Sequence, residues 1–69
     1  NLHGETEGNY NLGFSYYYLK NYKLALKYTF ESLRYAQKAQ LKQYQADNFE
    51  LISNIYRDKK DYKRALIYF

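Results

Sequence analysis

Residues 16–28, Tyr16-Tyr17-Tyr18-Leu19-Lys20-Asn21-Tyr22-Lys23-Leu24-Ala25-Leu26-Lys27-Tyr28, return forty positions later as Tyr56-Arg57-Asp58-Lys59-Lys60-Asp61-Tyr62-Lys63-Arg64-Ala65-Leu66-Ile67-Tyr68. Seven positions are identical: Tyr16/Tyr56, Lys20/Lys60, Tyr22/Tyr62, Lys23/Lys63, Ala25/Ala65, Leu26/Leu66 and Tyr28/Tyr68. Conservative pairs, Leu12/Ile52, Gly13/Ser53 and Asn21/Asp61, carry the match outward. A period of this size is the mark of a stacked supersecondary unit. Each copy divides at a short polar turn, Lys20-Asn21 or Lys59-Lys60-Asp61, whose last residue can cap a helix by accepting an orphan backbone N–H.

Working outward from these turns, the sequence predicts four helices: about Glu5 to Leu19, about Tyr22 to Lys38, about Lys42 to Asp58, and from Tyr62 onward. The second carries Tyr22, Ala25, Leu26, Thr29, Leu33 and Ala36 on one inward stripe at helical spacing, with Lys20, Lys23, Lys27, Arg34 and Lys38 mostly off it. Gly13 costs about 1 kcal/mol inside a helix relative to alanine. Its place opposite small Ala25 therefore predicts close helix contact, with Leu12, Tyr16, Ile52 and Tyr56 filling the space beside it.

Composition supports an all-helical chain. Among 69 residues there is no proline and no valine; Thr6, Thr29, Ile52, Ile55 and Ile67 are the β-branched residues. Strand formers are scarce, whereas Leu, Ala, Lys, Gln and Glu favour helices. Apolar residues make up 46% of the chain, but eleven of them are tyrosines, so the core must use phenol rings. The length excludes two separate cores. With no cysteine to staple so small a chain, marginal stability is expected. No apolar run approaches the ~20 residues of a membrane-spanning helix, and the start lacks a signal-peptide core. A soluble segment follows as the expectation, with the cytoplasm as default.

The residues Leu12-Gly13, Tyr16, Tyr22, Ala25-Leu26 and Leu33, repeated as Ile52-Ser53, Tyr56, Tyr62 and Ala65-Leu66, resemble the signature of the tetratricopeptide repeat family. The forty-residue shift is similar to its extended bacterial variant, although Gln40-Leu41 stands where that variant carries Gly-Asp. The resemblance implies an all-α fold of antiparallel helix hairpins stacked into a right-handed solenoid. Hairpin 1 would span about 5–38 and hairpin 2 about 42–69, with its last helix incomplete. Since about three such repeats are needed for stability, the chain reads as a fragment of a longer array. On that reading adjacent repeats of the parent chain are neighbours, and the isolated segment is weakly folded or self-associated.

Nothing in the residues argues for an enzyme. His3 is the single histidine, without a second histidine or a cysteine to complete a zinc site; no cofactor or metal is implied. Glu5 with Glu7, or Glu50 with Asp47, are better read as helix-end charges than as an acid/base pair. Ser15, Ser32 and Ser53 lack a base, and Gly4, Gly8 and Gly13 lack the spacing of a phosphate loop. The net charge of +4 and pI near 9.3 raise nucleic acid as a partner, a reading that requires affinity to fall steeply with salt. The cations on the second helix are interrupted by Glu31, which Lys27 or Arg34 can pair, and a solvated face explains them better.

Family resemblance implies that the first helix of each hairpin lines a concave surface. Glu7, Tyr10, Phe14 and Tyr17 would then lie beside Glu50, Asn54 and Arg57. Rigid aromatic area with a few polar groups suits a protein or peptide segment, whereas a neighbouring hairpin covering Tyr10, Phe14 and Tyr18 is the structural alternative. The sequence thus points to a protein-binding or peptide-binding helical-repeat module without catalytic activity. The alternative is a peptide-sensing segment of a larger bacterial transcription regulator or sensor kinase.

Overall fold

The computed structural model describes residues 1–69. It is all-helical, with α1 at Leu2–Tyr18, α2 at Tyr22–Lys38, α3 at Lys42–Asp58 and α4 at Tyr62–Tyr68. Asn21 and Asp61 cap α2 and α4 as their chemistry requires, their side-chain oxygens accepting from Leu24 N at 3.3 Å and Arg64 N at 3.2 Å. The expected start of the first helix near Glu5 is corrected. Asn1 Oδ1 accepts from Gly4 N at 2.6 Å, so α1 begins at Leu2, and Thr6 Oγ1 donates to Leu2 O at 2.7 Å to secure that first turn.

All three turns close the same way. Asn21 N donates to Tyr16 O, Leu41 N to Ala36 O and Asp61 N to Tyr56 O, while Lys20, Gln40 and Lys60 donate to the carbonyls of Tyr17, Gln37 and Arg57. These bonds satisfy carbonyls that a helix end otherwise leaves orphaned. Each turn needs one left-handed residue, and none is glycine: Lys20, Gln40 and Lys60 have φ of 62°, 56° and 66°. The turn at Gln40-Leu41 therefore follows the path of the other two despite its different residues, but Leu41 contributes no side-chain cap.

Short turns between packed helices make consecutive helices antiparallel. α1 packs on α2, α2 on α3 and α3 on α4, with α1 also reaching α3, in a slab of 34 × 23 × 13 Å. Gly13 is where α1 and α2 come closest. A Cβ there would overlap Thr29 Oγ1 and stand 3.1 Å from Thr29 N and 3.2 Å from Ala25 O. Thr29 Oγ1 donates to Ala25 O at 2.6 Å; forty residues on, Ser53 Oγ donates to Ala65 O at 2.8 Å. The same carbonyl position thus receives a hydroxyl in both hairpins, from its own helix in one and from the facing helix in the other.

The tyrosine pairs coincide as well. Tyr16 stacks on Tyr28 with centroids 5.6 Å apart and planes 9° from parallel, and Tyr56 stacks on Tyr68 at 5.8 Å and 17°. Two expected packing residues behave otherwise. Ile52 is fully buried, but Leu12 is 44% exposed, and Tyr62 is 59% exposed where Tyr22 is half-buried. The physical reason is shared: α2 covers the Ile52 face of α3 and α3 covers the Tyr22 face of α2, while no element lies on the matching faces of α1 and α4.

The fully apolar core is thin, comprising Ala25, Leu33, Ala36, Leu51, Ile52, Ile55 and Ala65. Half-buried rings extend it, with Tyr10, Phe14, Tyr16, Tyr17, Tyr22 and Leu26 packed against Ala25, Leu51 and Ile55. A buried polar chain ties three helices together. Asn48 Nδ2 on α3 donates to Ser32 Oγ on α2 at 2.9 Å, and Ser32 Oγ donates to Thr6 O on α1 at 2.7 Å. Asn48 Nδ2 also donates to Tyr44 O at 2.8 Å, leaving Asn48 Oδ1 without a partner. Such a chain costs desolvation but fixes helix rotation, because turning one helix strands the donors of another.

Candidate functional site

The seven residues expected on one concave face divide into two groups. Tyr10, Phe14 and Tyr17 of α1 pack against the cluster formed by Ala25 of α2 with Leu51 and Ile55 of α3. Tyr17 OH donates to Asp58 Oδ2 at 2.6 Å, and that bond, with burial next, raises the phenol pKa. Tyr10 is raised mainly by burial and then by the charges of Asp47 and Glu50. Glu7 Oε2 accepts from Tyr44 OH at 3.2 Å, and burial, followed by Glu7, raises the Tyr44 pKa. The α1 group is thus largely engaged in holding α3.

The α3 group faces open space. Asn54 and Arg57 line a groove with Ser53 on α3 and with Tyr62, Ala65, Leu66 and Phe69 around α4; its volume is about 320 Å³. Glu50 lies in a second hollow of about 460 Å³, with Ala46, Phe49, Ile67, Tyr68 and Phe69. Phe69 borders both hollows, and the first of them forms the groove between α3 and α4. Its walls are apolar on the α4 side, where Leu66 is 76% exposed and Phe69 97%. Its α3 side is polar: Arg57 is well exposed, its Nε 3.6 Å from Asp58 Oδ1.

This arrangement leaves aliphatic and aromatic surface exposed on one wall and sets the hydrogen-bonding groups of Asn54 and Arg57 on the other. Tyr62, Ala65, Leu66 and Phe69 were not among the residues expected to line a site. The spacing that puts Tyr22 and Leu26 beneath α3 puts Tyr62 and Leu66 on a face that no element of this structure covers. His3 rests edge-on against Tyr44, with ring centroids 5.7 Å apart. The cations Lys20, Lys23, Lys27, Arg34 and Lys38 are all exposed. Arg34 is held by Glu31 at 3.0 Å and by stacking on Tyr35, 4.6 Å from its ring centroid.

Fold and groove together define an all-α protein of antiparallel helix hairpins. Comparison with protein-family models, with curated proteins and with solved structures finds no match. No helix is long and apolar enough to cross a membrane.

Proposed function

We propose that the chain is a helical-repeat interaction module of the tetratricopeptide type, which binds a protein or peptide segment and performs no chemistry of its own. The observation that carries this reading is the groove of about 320 Å³ between α3 and α4, with Leu66 and Phe69 exposed beside Asn54 and Arg57. Large apolar side chains left in water next to oriented polar groups are the usual mark of a binding patch. Binding gains from covering Leu66, Phe69 and Tyr62, and Arg57 and Asn54 set the position of the bound segment. Glu50 and the α1 residues Glu7, Tyr10, Phe14 and Tyr17 form the remainder of that face, the latter mainly as its support.

The test is selection of peptides from a displayed library on the immobilised chain. Selected peptides are expected to lose about tenfold or more in affinity against Leu66→Ser and Arg57→Ala, and to bind Lys23→Ala, on the far side of α2, unchanged. Selection yielding no peptide sensitive to Leu66 and Arg57 contradicts the reading.

A further inference from the structure

Oxidation of a protein commonly ends on sulfur or indole. This chain has neither: it contains no cysteine, methionine or tryptophan, but eleven tyrosines. An electron hole placed on the molecule therefore settles on phenols, and the structure determines which.

Six rings form one contact network across α1, α2 and α3. Between centroids, Tyr44 lies 6.2 Å from Tyr10, and Phe14 lies 5.9 Å from Tyr10, 6.4 Å from Tyr17 and 5.0 Å from Tyr18. Tyr17 in turn lies 6.1 Å from Tyr18 and 6.3 Å from Tyr22. Rings in such contact pass a hole readily, with Phe14 serving as a bridge between phenols. Tyr18 is the exposed member, at 72%, and the other five are half-buried. Tyr62 provides the internal comparison. It is 59% exposed, but the ring pairs of its hairpin join Tyr68 to Phe30, Phe49 and Tyr56 and leave Tyr62 out.

A phenol loses an electron at neutral pH only if its proton leaves too, because the phenol radical cation is a strong acid. Tyr17 OH already donates to Asp58 Oδ2 at 2.6 Å, a short bond to a carboxylate placed to take that proton. The same bond stabilises the reduced phenol. Tyr17 holds its proton more tightly than an ordinary phenol, chiefly through Asp58, as do Tyr10 and Tyr44, chiefly through burial. A radical on these three is thus less stable than one on a phenol open to water. The hole enters where a base is waiting and drains outward to Tyr18.

We propose that Tyr18 is the oxidative cross-linking site of the chain: one-electron oxidation by a small inorganic radical is relayed through Tyr17 to Tyr18, and Tyr18 phenoxyls of two copies couple to dityrosine. In the first step the oxidant radical gains an electron from Tyr17 and becomes its anion, while the Tyr17 phenol proton passes to Asp58. In the second, Tyr18 gives an electron to Tyr17, Asp58 returns the proton to Tyr17, and the Tyr18 proton goes to water. Two Tyr18 radicals then form one bond between ortho carbons, and the ortho hydrogens move to the oxygens to restore both rings. Two phenols and two oxidant radicals thereby give one dityrosine, two oxidant anions and two protons. The chemistry is the oxidant's; the chain directs where it ends.

The test is radiolysis of the whole 69-residue chain in neutral azide solution. The azide radical is uncharged, so the lysines around Tyr62 do not bias its approach. Dityrosine is measured by fluorescence and located by mass spectrometry of proteolytic fragments. Tyr18 cross-links should exceed those of Tyr62 severalfold, well beyond the ratio of their exposures, 72% to 59%. Tyr17→Phe and Asp58→Asn, each confirmed as folded by circular dichroism, should bring the Tyr18 yield down toward that ratio and leave Tyr62 as it was. Tyr18→Phe changes only an exposed side chain and provides a second readout. It should remove most of the dityrosine and lengthen the phenoxyl lifetime seen by pulse radiolysis, since the network then has no exposed exit. Cross-linking of Tyr18 and Tyr62 in proportion to exposure overturns the proposal. So does an undiminished Tyr18 yield in Tyr17→Phe or Asp58→Asn, or an unchanged phenoxyl lifetime in Tyr18→Phe.

Discussion

At the scale of single residues, the contact between α1 and α2 turns on one hydroxyl. Thr29 Oγ1 occupies the space a side chain at Gly13 would need and uses it to bond Ala25 O, whereas in the second hairpin Ser53 reaches the equivalent carbonyl of Ala65 from across the interface. Gly13→Ser alone should therefore overpack the contact and cost about 1 to 3 kcal/mol. Combined with Thr29→Ala it should recover most of that, because the new hydroxyl takes over the bond to Ala25 O. Urea denaturation of the four proteins in the cycle measures the coupling; additive costs would show that the two hydroxyls are not interchangeable. The closeness of this contact was legible in the sequence from Gly13 and Ala25. The chain of Asn48, Ser32 and Thr6 was not, since its bonds join residues 16 and 26 apart in sequence and depend on helix rotation that no local pattern encodes.

At the scale of elements, the caps Asn21 and Asp61 explain why the starts of α2 and α4 follow so directly from the sequence, while α1 begins earlier than its apolar pattern suggests. Asn21 and Asp61 are visible stop-and-start signals; Asn1 caps a first turn made of Leu2, His3, Gly4 and Glu5, which carries no apolar stripe to announce it. The turn between α2 and α3 is the weakest of the three by this measure. It holds Gln40 at φ 56° and starts α3 without a side-chain cap. Gln40→Gly relieves a left-handed conformation that costs a non-glycine residue about 1 to 2 kcal/mol, less the added freedom of glycine in the unfolded chain. A net gain of about 0.5 to 1 kcal/mol is expected, read as a higher urea midpoint at unchanged slope. A lower midpoint would mean that the Gln40 side chain contributes more than its backbone strain costs.

At the scale of the whole molecule, the tyrosine-rich core makes stability sensitive to alkali. Tyr10, Tyr44 and Tyr56 have raised pKa values chiefly through burial, and Tyr17 chiefly through its bond to Asp58. The folded state holds these phenol protons more tightly than the unfolded chain does. Their contribution is complete below the ordinary tyrosine value of about 10 and is lost as pH rises through the higher folded values. Melting temperature should hold level up to that region and then fall, and Tyr17→Phe should make the fall shallower. A fall of equal slope in the variant would remove the Tyr17–Asp58 bond from the explanation. The hairpin architecture was readable from Tyr22/Tyr62 and Ala25-Leu26/Ala65-Leu66. The division of the seven expected site residues was not, because whether Tyr10, Phe14 and Tyr17 meet a ligand or meet α3 depends on how the second hairpin sits on the first.

A helix face covered by α3 in the first hairpin and open in the second makes opposite demands on two equivalent leucines. The direct comparison is urea denaturation of Leu26→Glu beside Leu66→Glu. Leu26 packs against the Ala25, Leu51 and Ile55 cluster, so a carboxylate there should cost about 2 to 3 kcal/mol or more. Leu66 is 76% exposed, and its change should stay within about 0.5 kcal/mol. Equal losses at the two positions would mean that the α4 face is covered and that no open groove exists.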